Sequence, residues 1–319
     1  MRTRKKYPID QSPLYKLSNH KRLAKILAVQ PSTLKKLVAR GDANYKFGSV
    51  GDEDPRDIEI PKAQLLRIHK RLNSLLNRIE KPDYLMSGVR GRSHVDNAKR
   101  HLGHHAVVKV DIKKFYPSTT KSIVSRGLRK TFRCSEDIAE TLAELSTVRS
   151  YIPTGSPLSQ SMAFMVNLPA FNHINAYSRS RNLRFTLYVD DLTFSGEKIP
   201  KDFVSYVQNY LKNSRGYGSH KIRRYSASTE KVITGVVLDG NNAKVKRTQR
   251  RVIASLYRSI PYYCEPVRRE DAATIKFFQR IIGHLFSAGE ISPGYRNLGA
   301  KTVAKRKAAG VRAQNQNTI

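Results

Sequence analysis

The sequence has few acidic residues, only two cysteines and no long apolar run. It contains 25 Asp and Glu residues but 59 Lys and Arg residues, which gives a formal net charge of +34 at pH 7. Cys134 and Cys264 are isolated and lack both Cys-x-x-Cys and metal-ligand spacing, so a disulfide framework is excluded and a reducing cytoplasm is expected. No apolar segment approaches the ~20 residues of a membrane span, so we do not expect a membrane protein. No apolar segment follows the basic N-terminus as in a signal peptide, so we do not expect a secreted protein.

The excess of basic residues is the first positive signal. Such an excess is typical of nucleic-acid-binding proteins, because neutralising phosphates releases their counterions. At 319 residues, the chain is long enough to bury a sizeable core in two or three subdomains. The composition therefore predicts a nucleic-acid-binding protein of several subdomains.

Two adjacent carboxylates, Asp190 and Asp191, stand out in a chain that is poor in acids. They lie within residues 185–194 (FTLYVDDLTF), where alternating apolar and polar residues predict a strand, a tight turn and a second strand. Neighbouring like charges repel each other unless a cation lies between them, which suggests a bound divalent metal. Because Asp is also a good turn former, an exposed hairpin turn remains the alternative on this segment alone.

A third carboxylate favours the metal site. A short apolar run ends at Asp111, which predicts a buried strand with a carboxylate at the end where α/β sheets present their ligands. Two Mg²⁺ ions that assist phosphoryl transfer need several hard oxygen ligands. Asp111, Asp190 and Asp191 together supply such ligands, so the sequence predicts a two-metal site.

Five segments, in the order in which the family carries them, resemble the motifs of reverse transcriptases. They are the two fingers motifs at 56–61 (RDIEIP) and 87–93 (SGVRGRS), motif A at 111–118, motif B at 153–160 (PTGSPLSQ) and motif C at 188–191 (YVDD). The resemblance covers roughly residues 45–240. It implies an α+β fold with the right-hand polymerase architecture of fingers, a ferredoxin-like (RRM-like) palm and a helical thumb.

Two further boxes resemble those of retron reverse transcriptases. Residues 97–101 (NAKRH) match an Asn-Ala-x-x-His box, and residues 232–238 (VITGVVL) resemble a Val-Thr-Gly box with Ile233 in place of Val. Group II intron and diversity-generating reverse transcriptases are the next neighbours. Each box also has a purely structural alternative. For the first box it is a capped turn with a histidine in the core, and for the second it is an ordinary buried strand.

Charge and apolar patterns along the chain indicate domain boundaries, and the resemblance supplies the names of the parts. The expected parts are a basic helical segment at 1–44, fingers at 45–105, a palm with part of the fingers at 106–240, and a basic helical thumb at 241–319 whose tail is disordered after about 301.

The implied activity is RNA-directed DNA synthesis from dNTPs by two-metal phosphoryl transfer. Asp111, Asp190 and Asp191 would hold the two Mg²⁺ ions. Arg224 stands where relatives often carry Lys, and Arg hardly deprotonates. The choice of a general acid therefore stays open, with Lys221 as the other candidate.

Four residues are expected at the nucleotide. Arg56 would meet the triphosphate, because guanidinium pairs bidentately with phosphate oxygens. Tyr116 stands where the family places the aromatic residue that rejects a 2′-hydroxyl. Gly155 permits close backbone approach. Thr154 stands where motif B usually carries Gln, so nucleotide selection is expected to differ.

The retron resemblance further implies partners. These are a cognate structured noncoding RNA of the msr-msd type, its branched RNA-linked DNA product (msDNA), an effector protein of an antiphage defence system and a host RNase H for template removal. The candidate RNA contacts are Asn97, His101, Arg247, Arg250 and Arg251.

A different function is suggested by residues 23–38, which read as helix, turn, helix. Such a pair could be a sequence-specific DNA-binding module. A helical pair packed on the fingers is the favoured alternative, because a non-catalytic DNA-binding protein has no use for the three carboxylates.

Overall fold

The computed structural model describes residues 5–51, 55–268 and 270–311, without the side chain of His220. Helices and strands are mixed in it, which confirms the predicted α+β class. Contacts group the chain into two compact units, Met1–Ser93 with Ala106–Arg224 and His94–His105 with Tyr225–Ile319. The four-part division of the chain stays a prediction.

The first unit contains two short α-helices near its start, α1 (His20–Leu27) and α2 (Pro31–Arg40), which follow a 3-10 turn at Ile9–Gln11. Their apolar stripes are buried, and α2 contacts the helix at Glu136–Ser146. This placement agrees with a helical pair that packs on the protein rather than a free DNA-reading module.

A hairpin and a long helix follow. Strands β1 (Tyr45–Val50) and β2 (Arg56–Pro61) are antiparallel. Helix α3 (Ala63–Leu76) buries one apolar face, because its leucines and Ile68 recur at helical spacing.

A four-stranded sheet lies behind the predicted catalytic acids. The strands are β3 (Ala106–Ile112), β4 (Arg184–Tyr188), β5 (Asp191–Gly196) and β6 (Ser219–Tyr225), in the order β4-β5-β3-β6. The helices of this region are α5 (Phe115–Ser118), α6 (Lys121–Phe132), α7 (Glu136–Ser146), α8 (Ser159–Ser180) and α9 (Lys201–Arg215). Phe171, Phe194 and Phe203 are fully buried in the apolar core of this unit.

The second unit combines a small sheet with helices. It contains α4 (His94–Lys99), the antiparallel strands β7 (Lys231–Ile233), β8 (Val236–Asp239) and β9 (Asn242–Val245), and the helices α10 (Arg247–Arg258), α11 (Ile260–Tyr263), α12 (Ala272–Gly289) and α13 (Pro293–Ala308). Its core is separate and centres on Phe278, Ile281 and Leu285.

Helix α13 corrects the expectation of a disordered tail from about residue 301. The chain remains helical to Ala308 because Thr302 and Gly299 are buried against this unit. The rest of the predicted tail, residues 312–319, lies outside the described residues. Within the described ranges, none of the helices combines the length and the apolar character that crossing a bilayer requires.

Candidate active site

The three predicted carboxylates meet at one end of the four-stranded sheet. Asp111, near the end of β3, is the direct register partner of Asp191, the first residue of β5. Asp190 belongs to the two-residue turn that joins β4 to β5, and its carbonyl oxygen accepts a hydrogen bond from the amide of Ile112 at 3.0 Å. Strand register thus brings together acids that are about eighty residues apart in the sequence.

The turn that carries Asp190 is held in an unfavourable backbone conformation. Val189 has φ +58°, which is costly for a β-branched residue. Its amide donates to the Ser87 hydroxyl at 2.8 Å, and the Leu187 amide donates to the Tyr84 carbonyl at 2.8 Å. The segment that carries the second fingers motif therefore supports the turn directly.

Placing these three acids close together is electrostatically unfavourable. Burial, followed by the charge of Asp111, raises the pKa of Asp190 to about 6. Burial also raises the pKa of Asp191, although Lys109 opposes it. Lys109 places its Nζ 2.6 Å from Asp191 Oδ2, so one cationic group already partly neutralises the cluster.

The donor set fits a divalent metal. Asp191 Oδ1 is buried and has no hydrogen-bond partner among the described atoms, so a bound cation would satisfy it. Carboxylate oxygens are also the ligands that Mg²⁺ prefers. Yet in the described part of the chain no group of three or more His, Cys, Asp or Glu side chains is arranged to hold a metal as it stands, and Lys109 occupies the other oxygen of Asp191.

An open cavity of about 200 Å³ adjoins the acids. It is lined by Lys109, Asp111, Asp191, Lys221 and Arg223, the last two from β6. A lining that combines carboxylates with cationic side chains suits a ligand that carries both metal and phosphate. Lys109 and Arg223 were not predicted from the sequence as residues of the site. Strand alternation could have found Lys109, which lies two residues before Asp111 on the same face.

Tyr116 lies near Asp190, one of the three acids. Burial, together with the charge of Asp190, raises the pKa of its phenol to about 12. Its ring centroid is 5.7 Å from that of Phe115, whose side chain is buried. Arg56, at the start of β2, has an exposed side chain.

The motif B loop is attached to β2. The Thr154 amide donates to Glu59 Oε2 at 2.9 Å, and the Thr154 hydroxyl lies 3.0 Å from the same oxygen. A Cβ on Gly155 would lie 2.7 Å from the Glu59 carbonyl oxygen, so only glycine fits this approach. Glu59 was not predicted from the sequence to have a role, although it is an acid inside a fingers motif of a chain that has few acids.

A buried histidine holds the other side of this loop. His69 Nε2 lies 2.6 Å from the Leu145 carbonyl, which can only accept, so Nε2 carries the proton and Nδ1 accepts from the Ser156 hydroxyl at 2.6 Å. Burial lowers the pKa of His69 to about 4. The histidine is therefore neutral and fixed in one tautomer.

The two retron-like boxes contact each other inside the second unit. Thr234 and Gly235 form the turn between β7 and β8 with φ of +44° and +85°. The Thr234 hydroxyl donates to the His94 carbonyl at 2.6 Å and accepts from Asn97 Nδ2 at 3.3 Å. Asn97 and His101 are both 0 % exposed, which leaves neither side chain available to RNA and corrects their assignment as direct contacts.

The remaining candidate RNA contacts lie on α10. Arg247, Arg250 and Arg251 are exposed there, while Ile253 of the same helix is buried. The helix therefore presents cationic side chains to solvent.

No protein-family model matches the chain. Solved structures with similar chain paths include telomerase of Candida tropicalis, truncated from its C-terminal domain, with a TM-score of 0.46, 10% identity and coverage of 68% of this chain and 61% of that chain. Telomerase of Candida albicans, in complex with a fragment of telomeric RNA, has a TM-score of 0.44, 10% identity and coverage of 84% and 61%.

Curated relatives share more sequence. The retron Se72 reverse transcriptase of Salmonella heidelberg is 28% identical over 76% of this chain and 66% of its own length. The retron Ec86 reverse transcriptase of Escherichia coli is 24% identical over 74% and 76%, and the retron Mx162 reverse transcriptase of Myxococcus xanthus is 28% identical over 66% and 50%. The chain thus spans between half and three quarters of the length of these proteins, and these three retron reverse transcriptases are its homologues.

Proposed function

We propose that the chain is an RNA-directed DNA polymerase of the retron type. The observation that carries the proposal is the register pairing of Asp111 with Asp191 next to Asp190 in a strained turn. The names of the homologues, all reverse transcriptases, support the same activity. A DNA-binding module without catalysis would leave this costly cluster of acids without a purpose.

In this proposal, Asp111, Asp190 and Asp191 hold two Mg²⁺ ions. Bound ions would neutralise the acids and stabilise the attacking and leaving oxygens of phosphoryl transfer. Lys221 and Arg223, which line the cavity beside the acids, suit the negative charge of the leaving pyrophosphate.

Three further residues act on the incoming nucleotide. Tyr116, whose pKa is raised in part by the nearby charge of Asp190, abuts the sugar and rejects a 2′-hydroxyl. Arg56 is exposed and pairs with the triphosphate, and Gly155 allows the nucleotide to approach the backbone.

The template in this proposal is a structured noncoding RNA of the msr-msd type. The exposed Arg247, Arg250 and Arg251 bind its phosphates, which agrees with the net charge of +34. The product is DNA branched from RNA (msDNA), a host RNase H removes the template in the cytoplasm, and an effector protein uses the complex in antiphage defence.

DNA synthesis by the purified chain tests the polymerase. With Mg²⁺, dNTPs and a primed RNA, the wild type should extend the primer, and Asp190→Ala should reduce the rate at least about a thousandfold, because it removes several kcal/mol of charge stabilisation. Glu136→Gln, at an exposed acid on α7, is the matched control and should remain active. An inactive wild type or an active Asp190→Ala variant contradicts the proposal.

The nucleic acid that copurifies with the chain tests the retron assignment. Sequencing should recover one RNA species joined through a 2′,5′ branch to DNA. Random cellular RNA without a branch contradicts the retron type and favours another bacterial reverse transcriptase.

A further inference from the structure

One buried carboxylate joins the β1–β2 hairpin to the motif B loop, residues 153–158. Glu59 is 3% exposed, and its Oε1 accepts from the Tyr151 hydroxyl at 2.9 Å. Its Oε2 accepts from the Thr154 amide and lies 3.0 Å from the Thr154 hydroxyl. Every partner can donate, so both carboxylate oxygens are satisfied, and hydrogen bonds to an ionised acceptor are the strong ones.

Other contacts reinforce the same junction. The Thr154 hydroxyl also lies 2.9 Å from the Asp57 carbonyl of β2. The guanidinium of Arg149 lies 4.2 Å from the ring centroid of Phe47 on β1. Both strands of the hairpin are therefore fastened to the segment that leads into α8.

The backbones also approach each other closely. A Cβ on Gly155 would lie 2.7 Å from the carbonyl oxygen and 3.0 Å from the carbonyl carbon of Glu59. Neither atom can move without moving β2. The loop and the strand thus have a fixed separation as well as a shared hydrogen-bond network.

We propose that Glu59 is a positioning residue that holds Arg56, on the hairpin, and Gly155, on the loop, as one nucleotide-binding unit. This inference rests on the proposed polymerase function. Thr154 contributes through the same network. Its hydroxyl contacts Asp57 and Glu59 of β2 and is not free to reach a nucleotide. Threonine, which stands here in place of the usual Gln, therefore affects nucleotide selection by fixing the loop and not by direct contact. Nucleotide affinity then depends on a side chain that touches no nucleotide.

Nucleotide binding and amide exchange in the same variants test the inference. The dissociation constant of a fluorescent dNTP with Mg²⁺ should rise about tenfold in Glu59→Gln and Thr154→Val, because each removes hydrogen bonds to the carboxylate. Thr154→Ser keeps the hydroxyl and should recover most of the affinity lost in Thr154→Val. Amides of residues 153–158 and 56–60 should exchange faster together in Glu59→Gln.

The matched control is Glu140→Gln. Glu140 accepts a hydrogen bond from the Ser125 hydroxyl and joins α6 to α7 in the same unit, without a hydrogen bond to Glu59 or Thr154. It should change neither the dissociation constant nor the exchange of the two segments. Thr154 is exposed, so its variants should fold even if the change at buried Glu59 is disruptive.

The outcomes separate the two proposals. An unchanged dissociation constant in Thr154→Val overturns the positioning role, and so does faster exchange of the loop without that of the hairpin. A wild type that binds the nucleotide but makes no DNA overturns the polymerase, while the joint exchange and affinity changes still support the role of Glu59.

Discussion

Lys109 and Asp191 form an ion pair across β3 and β5, with Nζ 2.6 Å from Oδ2. Both side chains are largely buried, at 16% and 19% exposure. A mostly buried ion pair contributes little by itself, but breaking it leaves an uncompensated charge. Lys109 therefore acts as a built-in counter-ion for the acids.

Lys109→Met should destabilise the protein without metal and increase its dependence on Mg²⁺. Loss of the ammonium leaves three acids without this cation and should lower the free energy of unfolding by about 3 kcal/mol in EDTA. Urea unfolding with and without Mg²⁺ measures the effect, and Mg²⁺ should restore more stability to the variant than to the wild type. Equal Mg²⁺ stabilisation of both proteins contradicts the counter-ion role.

Asp190→Asn should abolish synthesis and yet stabilise the metal-free protein. Burial and the charge of Asp111 raise the pKa of Asp190, so its ionised form is unfavourable in the fold. Removing that charge should raise the free energy of unfolding by about 1 kcal/mol in EDTA, a value reduced for the partial exposure of the group. Denaturant unfolding of the two proteins provides the comparison. A less stable variant indicates that Asp190 has a structural role.

His69 should make the protein sensitive to mild acid. The unfolded chain binds a proton below its ordinary pKa of 6.5, whereas the folded chain does so only near 4. The unfolded state thus holds more protons between these values, so stability is complete above pH 6.5 and is lost as the pH falls towards 4. The loss reaches at most about 3 kcal/mol.

The His69→Gln variant isolates this contribution, because Gln keeps a donor and an acceptor but does not titrate. The difference in unfolding free energy between the wild type and the variant should shrink as the pH falls from 6.5 to 4. A difference that stays constant over this range shows that the histidine is not buried neutral.

Thr234→Val should loosen the contact between the two retron-like boxes. Thr234 links His94 and Asn97 through its hydroxyl, and Asn97 is fully buried. Leaving such groups unpaired should cost about 1–3 kcal/mol of stability in the second unit. Amide exchange should rise in residues 94–101 and 231–239, and Thr234→Ser should reverse it. If the valine variant exchanges like the wild type, the hydroxyl does not join the boxes.

Arg250→Gln should weaken RNA binding almost uniformly across sequences. The side chain is exposed on α10, so we expect a phosphate contact that releases about one counterion. Filter binding from low to moderate salt should show that the slope of log K against log salt concentration is smaller in magnitude by about one unit in the variant. Glu265→Gln, an acid in the same unit, should leave affinity the same or slightly higher. An unchanged slope for Arg250→Gln indicates that Arg250 does not contact an RNA phosphate.

The sequence by itself determined the local structures and which residue types carry the chemistry. The alternation of apolar and polar residues around Asp190 and the apolar run before Asp111 specify strands and a turn. Both signals are local, because the alternation of side chains along a strand and the turn preference of Asp involve only a few neighbouring residues. Helix α3 follows from its apolar period in the same way. Motif order added the family resemblance, which the homologues confirm.

Only the tertiary structure decided which side chains meet and which are buried. Asn97 and His101 have the polarity of RNA ligands, yet both are fully buried, and Thr234, the partner of Asn97, is 137 residues away in the sequence. Glu59 pairs with Thr154 across 95 residues, and Lys109 reaches Asp191 only through strand register. Such pairs depend on how distant elements pack, a cooperative property that no local pattern encodes. The sequence thus identified the carboxylates of the site, and the fold decided which neighbours neutralise, position and support them.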